Sequence, residues 1–145
     1  MRHIPQMVVA MTPFPYHIDA KATLAEAATM MDSHAIRHLP VFENGDIFGI
    51  LSERDLERAK MPGHSLRDEI ELRVGDVCTQ RPYFVDVSDP LDRVLDAMAE
   101  QRLGSALVLK EGELVGVFTA LDACSLLAQT LREKFPHPSP GTDAA

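Results

Sequence analysis

A chain of 145 residues, 46% of them hydrophobic, is long enough for one domain or two very small ones and can bury a core. No apolar run nears the ~20 residues of a membrane helix, Met7–Met11 is too short for a signal-peptide core, and two cysteines without CxxC spacing make neither a disulfide framework nor a zinc site, so a soluble cytoplasmic protein is expected. Lys and Arg number 14 against 22 Asp and Glu, a net charge of −8 that sets nucleic-acid binding aside and leaves any anionic ligand to local donors.

In chain order, Thr12–Pro15 is predicted as a loop, because its prolines deny a helix or a central strand. Tyr16–Ile18 is a short strand. Thr23 then caps a helix, with Glu26 three residues on completing a capping box. Leu24, Ala27, Ala28 and Met31 share one face of that helix. Two apolar runs follow, His38–Phe42 and Ile47–Leu51, and the Asn44-Gly45 between them is a hairpin signal. A second helix starts near Glu53 and breaks at Met61-Pro62-Gly63-His64. Residues 65–75 form a charged connection, in which Glu69 to Glu71 is a solvated face.

From there the chain repeats itself. Residues 11–57 lie over 78–124 at an offset of 67 without a gap, with identities such as Thr12/Thr79, Pro15/Pro82, Tyr16/Tyr83, Gly49/Gly116 and Asp55/Asp122. Thr79–Pro82 is again a loop and Tyr83–Val87 a strand. Asp89 is expected to cap a helix with Pro90 in its first position, and Leu91, Val94, Leu95 and Met98 rebuild the apolar face. Ser105–Leu109 and Leu114–Phe118 flank Glu111-Gly112 as the second hairpin. The last helix, near Leu121 to Phe135, carries a stripe of Leu121, Cys124, Leu127, Ala128 and Leu131, suited to a core or a second subunit. The tail from Pro136 has the composition of a disordered segment. Cys78 and Cys124 are expected as small buried apolar residues.

The unit is strand–helix–strand–strand–helix, twice. Copies of about 50 residues are marginal alone, so their sheets should pack together about a pseudo-two-fold axis, leaving clefts between the copies. At the end of each hairpin stands a hydroxyl with a carboxylate three residues on: Ser52 and Asp55, Thr119 and Asp122. As a plain capping box this pair needs no ligand. As a site, the helix start offers unpartnered N–H groups to a phosphate, the hydroxyl reaches sugar or phosphate, and the carboxylate accepts from a ribose diol. Finding the pair in both copies, each behind a Gly-apolar-apolar strand end, favours the site.

Met11-Thr12-x-x-Pro15, Arg37-His38-Leu39-Pro40-Val41, Gly49-Ile50-Leu51-Ser52-Glu53-Arg54-Asp55, Val74-Gly75-Asp76-Val77-Cys78-Thr79-x-x-Pro82 and Gly116-Val117-Phe118-Thr119-Ala120-Leu121-Asp122 together resemble a tandem pair of cystathionine-β-synthase (CBS) domains, a Bateman module, over residues 7–132. The resemblance implies an α+β fold of two β-α-β-β-α repeats packed sheet to sheet with pseudo-two-fold symmetry, in a stand-alone bacterial-type protein. It implies a first domain at 7–62, a linker at 63–73, a second domain at 74–132 and a disordered tail at 136–145. It also implies an adenosine-containing ligand, AMP, ADP or ATP first and S-adenosylmethionine second, in clefts between the repeats. Asp55 and Asp122 would hold ribose hydroxyls, and Ser52 and Thr119 would sit by sugar or phosphate. Ile18 and Val85, behind Pro15 and Pro82, would border the adenine, and Arg37 and His38 would meet phosphates. Gly104 and Ser105 stand where a second basic pair would be, so one cleft should bind phosphate poorly.

The expectation is a regulatory, energy-sensing module, not an enzyme. It would need no cofactor or metal, form a homodimer, and transmit binding to an effector enzyme or transporter that is yet unidentified. His34 and His38 lack a metal spacing, His3, His17, His64 and His137 are solvated, and Arg54 is a surface residue beside Glu53 and Glu57. The alternatives are a ligand-free dimerisation or interaction module and, a distant third, a small hydrolase or transferase; no GxSxG, P-loop or nucleophile–base pattern supports the last.

Overall fold

Asn44 (φ 52°) and Gly45 (φ 83°) turn one strand into the next through two left-handed residues, and Glu111 (φ 52°) and Gly112 (φ 81°) do so again 67 positions later. Two such residues in a row make the tight hairpin whose twist matches its strands. The computed structural model describes residues 3–61 and 71–137. In chain order these hold α1 (Met7–Ala10), β1 (Thr12–Pro13), β2 (Ile18–Asp19), α2 (Leu24–His34), β3 (His38–Glu43), β4 (Asp46–Ser52) and α3 (Glu53–Ala59). The second half holds α4 (Val74–Val77), β5 (Phe84–Asp86), α5 (Leu91–Gln101), β6 (Ser105–Lys110), β7 (Glu113–Thr119) and α6 (Ala120–Lys134).

The fold is the expected α+β pair of repeats. β2, β3 and β4 make one sheet, and β1, β7, β6 and β5 the other. In each, a short strand runs parallel to the first hairpin strand, and an irregularity interrupts the hairpin at Val41/Phe42 and again at Val108/Leu109. Ile50, Leu107 and Val117, with Ile47 and Leu114 against them, form a buried layer shared by both sheets. The sheets thus pack face to face, and equivalent contacts hold them at both ends: Ile50 bridges Thr79 as Val117 bridges Thr12.

Four local expectations change. Thr12–Pro13 is not a loop but an edge strand on β7, where a proline is tolerated because its missing N–H would face away from the ladder. Asp89 does not cap α5. Pro90 itself takes the N-cap position, and the Asp89 carboxylate accepts from Asp86 N–H instead (2.8 Å). Thr23 Oγ1 does accept from Glu26 N–H (3.1 Å), but the Glu26 carboxylate does not return the bond, so only half of the expected capping box forms. Cys124 is exposed on α6 rather than buried. The expected linker at 63–73, with His64, and the tail at 136–145 fall mostly outside the described residues.

The short helices α1 and α4 were not anticipated, and each serves the opposite repeat. Met7, fully buried, joins the core of Val85, Leu91, Val94, Met98, Val108 and Phe118, while Val74, also fully buried, joins that of Ile18, Ala27, Met31, Leu39, Val41 and Leu56. Main-chain hydrogen bonds fix the exchange. Met7 N–H donates to Asp89 C=O (3.0 Å), and Val74 N–H donates to Ala22 C=O (2.9 Å). Burying one such side chain contributes roughly 1.5–3 kcal/mol, a large share for a core of this size.

Candidate functional site

β4 delivers Ser52 to the N-cap of α3. Ser52 Oγ accepts from Asp55 N–H (3.1 Å) and Asp55 Oδ2 accepts from Ser52 N–H (2.9 Å). Thr119 and Asp122 repeat this at α6, at 3.2 and 2.9 Å. Both pairs are therefore complete capping boxes, each spending one carboxylate oxygen on the main chain. Two more donors are taken, since Glu53 N–H meets Arg37 C=O (2.8 Å) and Ala120 N–H meets Gly104 C=O (3.0 Å). The expected cradle of unpartnered helix N–H groups is thus largely closed, and charge for an anion has to come from side chains.

An open cleft of about 580 Å³ lies where Ser52 and Asp55 face the second repeat. One wall is α3 and its approach, with Arg37, His38, Glu53, Arg54 and Glu57 beside the Ser52–Asp55 pair. The opposite wall is built from the loop before β5, with Thr79, Arg81, Pro82 and Tyr83, and from the end of α5, with Arg102 and Leu103. Gly104, Ser105, Ala120 and Leu121 complete it, and Ile50 also lines the space. Arg37 Nε pairs with Glu53 (3.5 Å) on the exposed rim.

His38 is the most perturbed group of the cleft. Burial pulls its imidazole below the usual 6.5, against the carboxylates of Asp55 and Asp122, which both raise it. One imidazole therefore senses both acids. Cys78, behind the cleft, is pushed up to about 11 by burial, with Asp55 adding to the effect, so it is a neutral thiol at ordinary pH and no ready nucleophile.

The cleft brings together Arg37, His38, Ser52, Asp55 and Pro82. Thr119 and Asp122 stand at the matching turn of the second repeat, outside this lining. The Ile18 and Val85 side chains are buried in the two cores, so only their main chains could border a ligand. Pro15 is half-buried between exposed Phe14 and Tyr16. His34 is parted from His38, stacking on Tyr16 at 3.7 Å. Among the described residues no cluster of three or more His, Cys, Asp or Glu could hold a metal ion, and no helix is long and apolar enough to cross a membrane.

Sequence reasoning missed Arg81 and Arg102 and set Arg54 aside. The structure shows Arg102 closing α5 in the left-handed conformation (φ 56°), where Gly or Asn is usual, which nothing in the sequence around it announced.

A family model of the CBS domain matches residues 6–61 and again 74–129. An inosine-5'-monophosphate dehydrogenase of Thermoplasma acidophilum is 34% identical over 125 residues, covering 86% of this chain but 23% of the enzyme. The chain thus spans less than a quarter of that relative. Among solved structures, a Vibrio cholerae protein assigned to acetoin utilization superposes with a TM-score of 0.77 at 25% identity, over 94% of this chain and all of the other. Two more share the fold at 21% identity. One is a domain pair in complex with 5'-methylthioadenosine and S-adenosyl-L-methionine (TM-score 0.76, 88% and 99% covered); the other is CBSX2 in complex with AMP (TM-score 0.73, 88% and 98% covered).

Proposed function

The chain belongs to the CBS domain family as a tandem pair, and we propose that this regulatory module takes an adenosine nucleotide into the cleft of Ser52 and Asp55 and passes its occupancy to a partner. The observation that carries the reading is the meeting of a hydroxyl and a carboxylate from one repeat with Pro82 and Tyr83 from the other, in one cleft of about 580 Å³, a volume typical of small-molecule sites. Asp55 Oδ2 is spent on its cap, and Oδ1 is left to accept from a ribose diol. Ile50, Pro82 and Tyr83 supply flat or apolar surface for the base, and Arg37 and His38 face phosphate. The related folds that hold AMP, or S-adenosyl-L-methionine with 5'-methylthioadenosine, support an adenosyl ligand. Thr119 and Asp122 would form a second, weaker site, with Pro15 and the main chain at Ile18 bordering one base and Pro82 and the main chain at Val85 the other.

Because the cleft spans both repeats, a ligand that prefers one arrangement of them shifts the population towards it by its differential affinity. A partner enzyme or transporter in the cytoplasm would read that shift; the chain's own role is sensing, not turnover. α6 leaves Leu121, Leu127, Leu131 and Phe135 exposed, a surface suited to a second copy of the chain.

One observation favours a second reading, a ligand-free interaction module: in both capping boxes the hydroxyl and one carboxylate oxygen are satisfied by the chain's own main chain. Thermal unfolding with AMP, ADP, ATP, S-adenosylmethionine and NAD decides. A ligand at ~100-fold its Kd adds about 2.7 kcal/mol, several degrees in Tm. At least one adenosyl ligand should do so, and Asp55→Asn, which can still cap through its amide oxygen, should remove the shift. Flat traces across the panel would establish the interaction module, and turnover of a panel member would revive a hydrolase or transferase.

A further inference from the structure

The two walls of the cleft differ in charge: the first-repeat wall mixes acids with Arg37, His38 and Arg54, and the second-repeat wall does not. All three carboxylates that line it, Glu53, Asp55 and Glu57, lie on α3, in the first repeat. Among the described residues, the wall given by the second repeat holds Arg81 and Arg102 and no acid. Neither arginine, nor Arg54 across from them, makes an ion pair among the described residues, whereas Arg37 is engaged by Glu53. In a chain of net charge −8, two exposed arginines line one cleft with no ion-pair partner among the described residues.

The offset of 67 sharpens the point. Arg81 corresponds to Phe14, Arg102 to Ala35 and Arg54 to Leu121. The cations are therefore not inherited from the repeat or demanded by the fold, since the same backbone stands without them. The left-handed conformation at Arg102 recurs at Ala35 (φ 52°), so the arginine is not there to shape the turn.

We propose that Arg81 and Arg102 on the second-repeat wall, with Arg54 facing them from α3, form a polyphosphate seat, so that the cleft selects a nucleoside di- or triphosphate over a monophosphate or a sulfonium ligand. This rests on the adenosine reading above and deepens it. The sugar sits against α3, where Asp55 accepts from its hydroxyls. The phosphate chain runs across to the arginines, which donate paired N–H groups to phosphate oxygens. Since the Glu53 and Asp55 N–H groups at the helix start are already occupied, the guanidinium groups are what distinguish a long anionic chain from a short one. The sulfonium of S-adenosylmethionine would meet like charge there.

Isothermal titration in magnesium-free buffer with AMP, ADP, ATP and inorganic tripolyphosphate tests the seat. ATP should bind at least roughly tenfold more tightly than AMP, the scale of one charge-assisted hydrogen bond. In the double variant Arg81→Gln/Arg102→Gln that ratio should collapse towards one, and tripolyphosphate binding should vanish. Both side chains are exposed, so the variant should fold, and an unchanged Tm without ligand checks this. Equal binding of AMP and ATP by the natural chain, or a ratio that the variant leaves intact, overturns the seat and leaves the adenosine reading standing. Arginine-dependent binding of tripolyphosphate without any adenosyl ligand upholds the seat and overturns that reading. No binding of any probe overturns both.

Discussion

The first and second repeats share a backbone and differ in what they turn towards the cleft. Gly49 and Gly116, the two hairpin irregularities and the two capping boxes coincide at an offset of 67. Yet the first repeat contributes acids, His38, Arg37 and Arg54 to the Ser52 cleft, while the second contributes only Arg81 and Arg102 as charged groups among the described residues and, at the position of His38, Ser105. Positions that build the sheets and turns stayed paired, and positions that face the cleft diverged. A fold-level likeness between the halves therefore says little about whether both bind the same thing.

The largest expected effect tests how far the repeats can be told apart at all. Met7→Ala should cost about 2–5 kcal/mol in denaturant unfolding, because Met7 is fully buried. The damage should appear in the second repeat. Amide exchange should rise first in β5, α5 and β6, although Met7 lies at the start of the first repeat in sequence. Val74→Ala should loosen α2 and β3 instead. Exchange rising in the repeat that follows each residue directly would refute the crossed packing.

A smaller contrast concerns two glycines where strand and neighbouring segment nearly touch. A Cβ on Gly49 would run into the carbonyl oxygen of Thr79, which is held by Ile50 N–H (2.9 Å) and cannot retreat. A Cβ on Gly116 would meet mainly the thioether end of Met11, which can swing away. Gly49→Ala should thus cost about 1–3 kcal/mol and Gly116→Ala distinctly less. Equal losses in thermal unfolding would mean that the two crossings are equally rigid.

These contrasts also mark what was legible in the sequence. The hairpins, α2, α3 and α6 and the face-to-face sheets follow from Asn44-Gly45, Glu111-Gly112, the apolar spacing and the repeat itself. The crossed helices were not legible. Four residues such as Met7–Ala10 have too little periodicity to signal a helix, and nothing local states which core a buried side chain joins. Ser52 and Asp55 were found because they recur; Arg81 and Arg102 were missed because they do not. A search by repetition is blind to the positions where the copies diverged, and those are the ones that give the cleft its charge.

The caps offer a contrast that should be absent without ligand and appear with it. Ser52→Ala and Thr119→Ala each remove one side-chain acceptor at a helix start and should each cost about 1 kcal/mol. With ATP at saturation, Ser52→Ala should lose additional Tm shift because Ser52 lines the arginine-walled cleft, while Thr119→Ala should keep its full shift. An equal loss in both would assign the ligand to both turns.

The smallest effect belongs to His38, and Ser105, its counterpart, cannot show it. Burial holds the folded pKa of His38 below 6.5, so the unfolded chain binds more protons between that lowered value and 6.5. Stability should therefore rise with pH across this window, be fully present above 6.5 and decline as pH falls through it. His38→Gln should flatten that part of the curve. Asp86, whose carboxyl is lowered from 3.8 by hydrogen bonds from Ser88, acts at more acidic pH and does not overlap it. A phosphate chain arriving beside the imidazole would favour its charged form, so ATP binding near pH 6 should take up protons in the natural chain and not in His38→Gln. Titrations in buffers of different ionisation enthalpy measure that uptake. An uptake unchanged in His38→Gln would place the phosphates away from the hairpin start where the two repeats differ in charge.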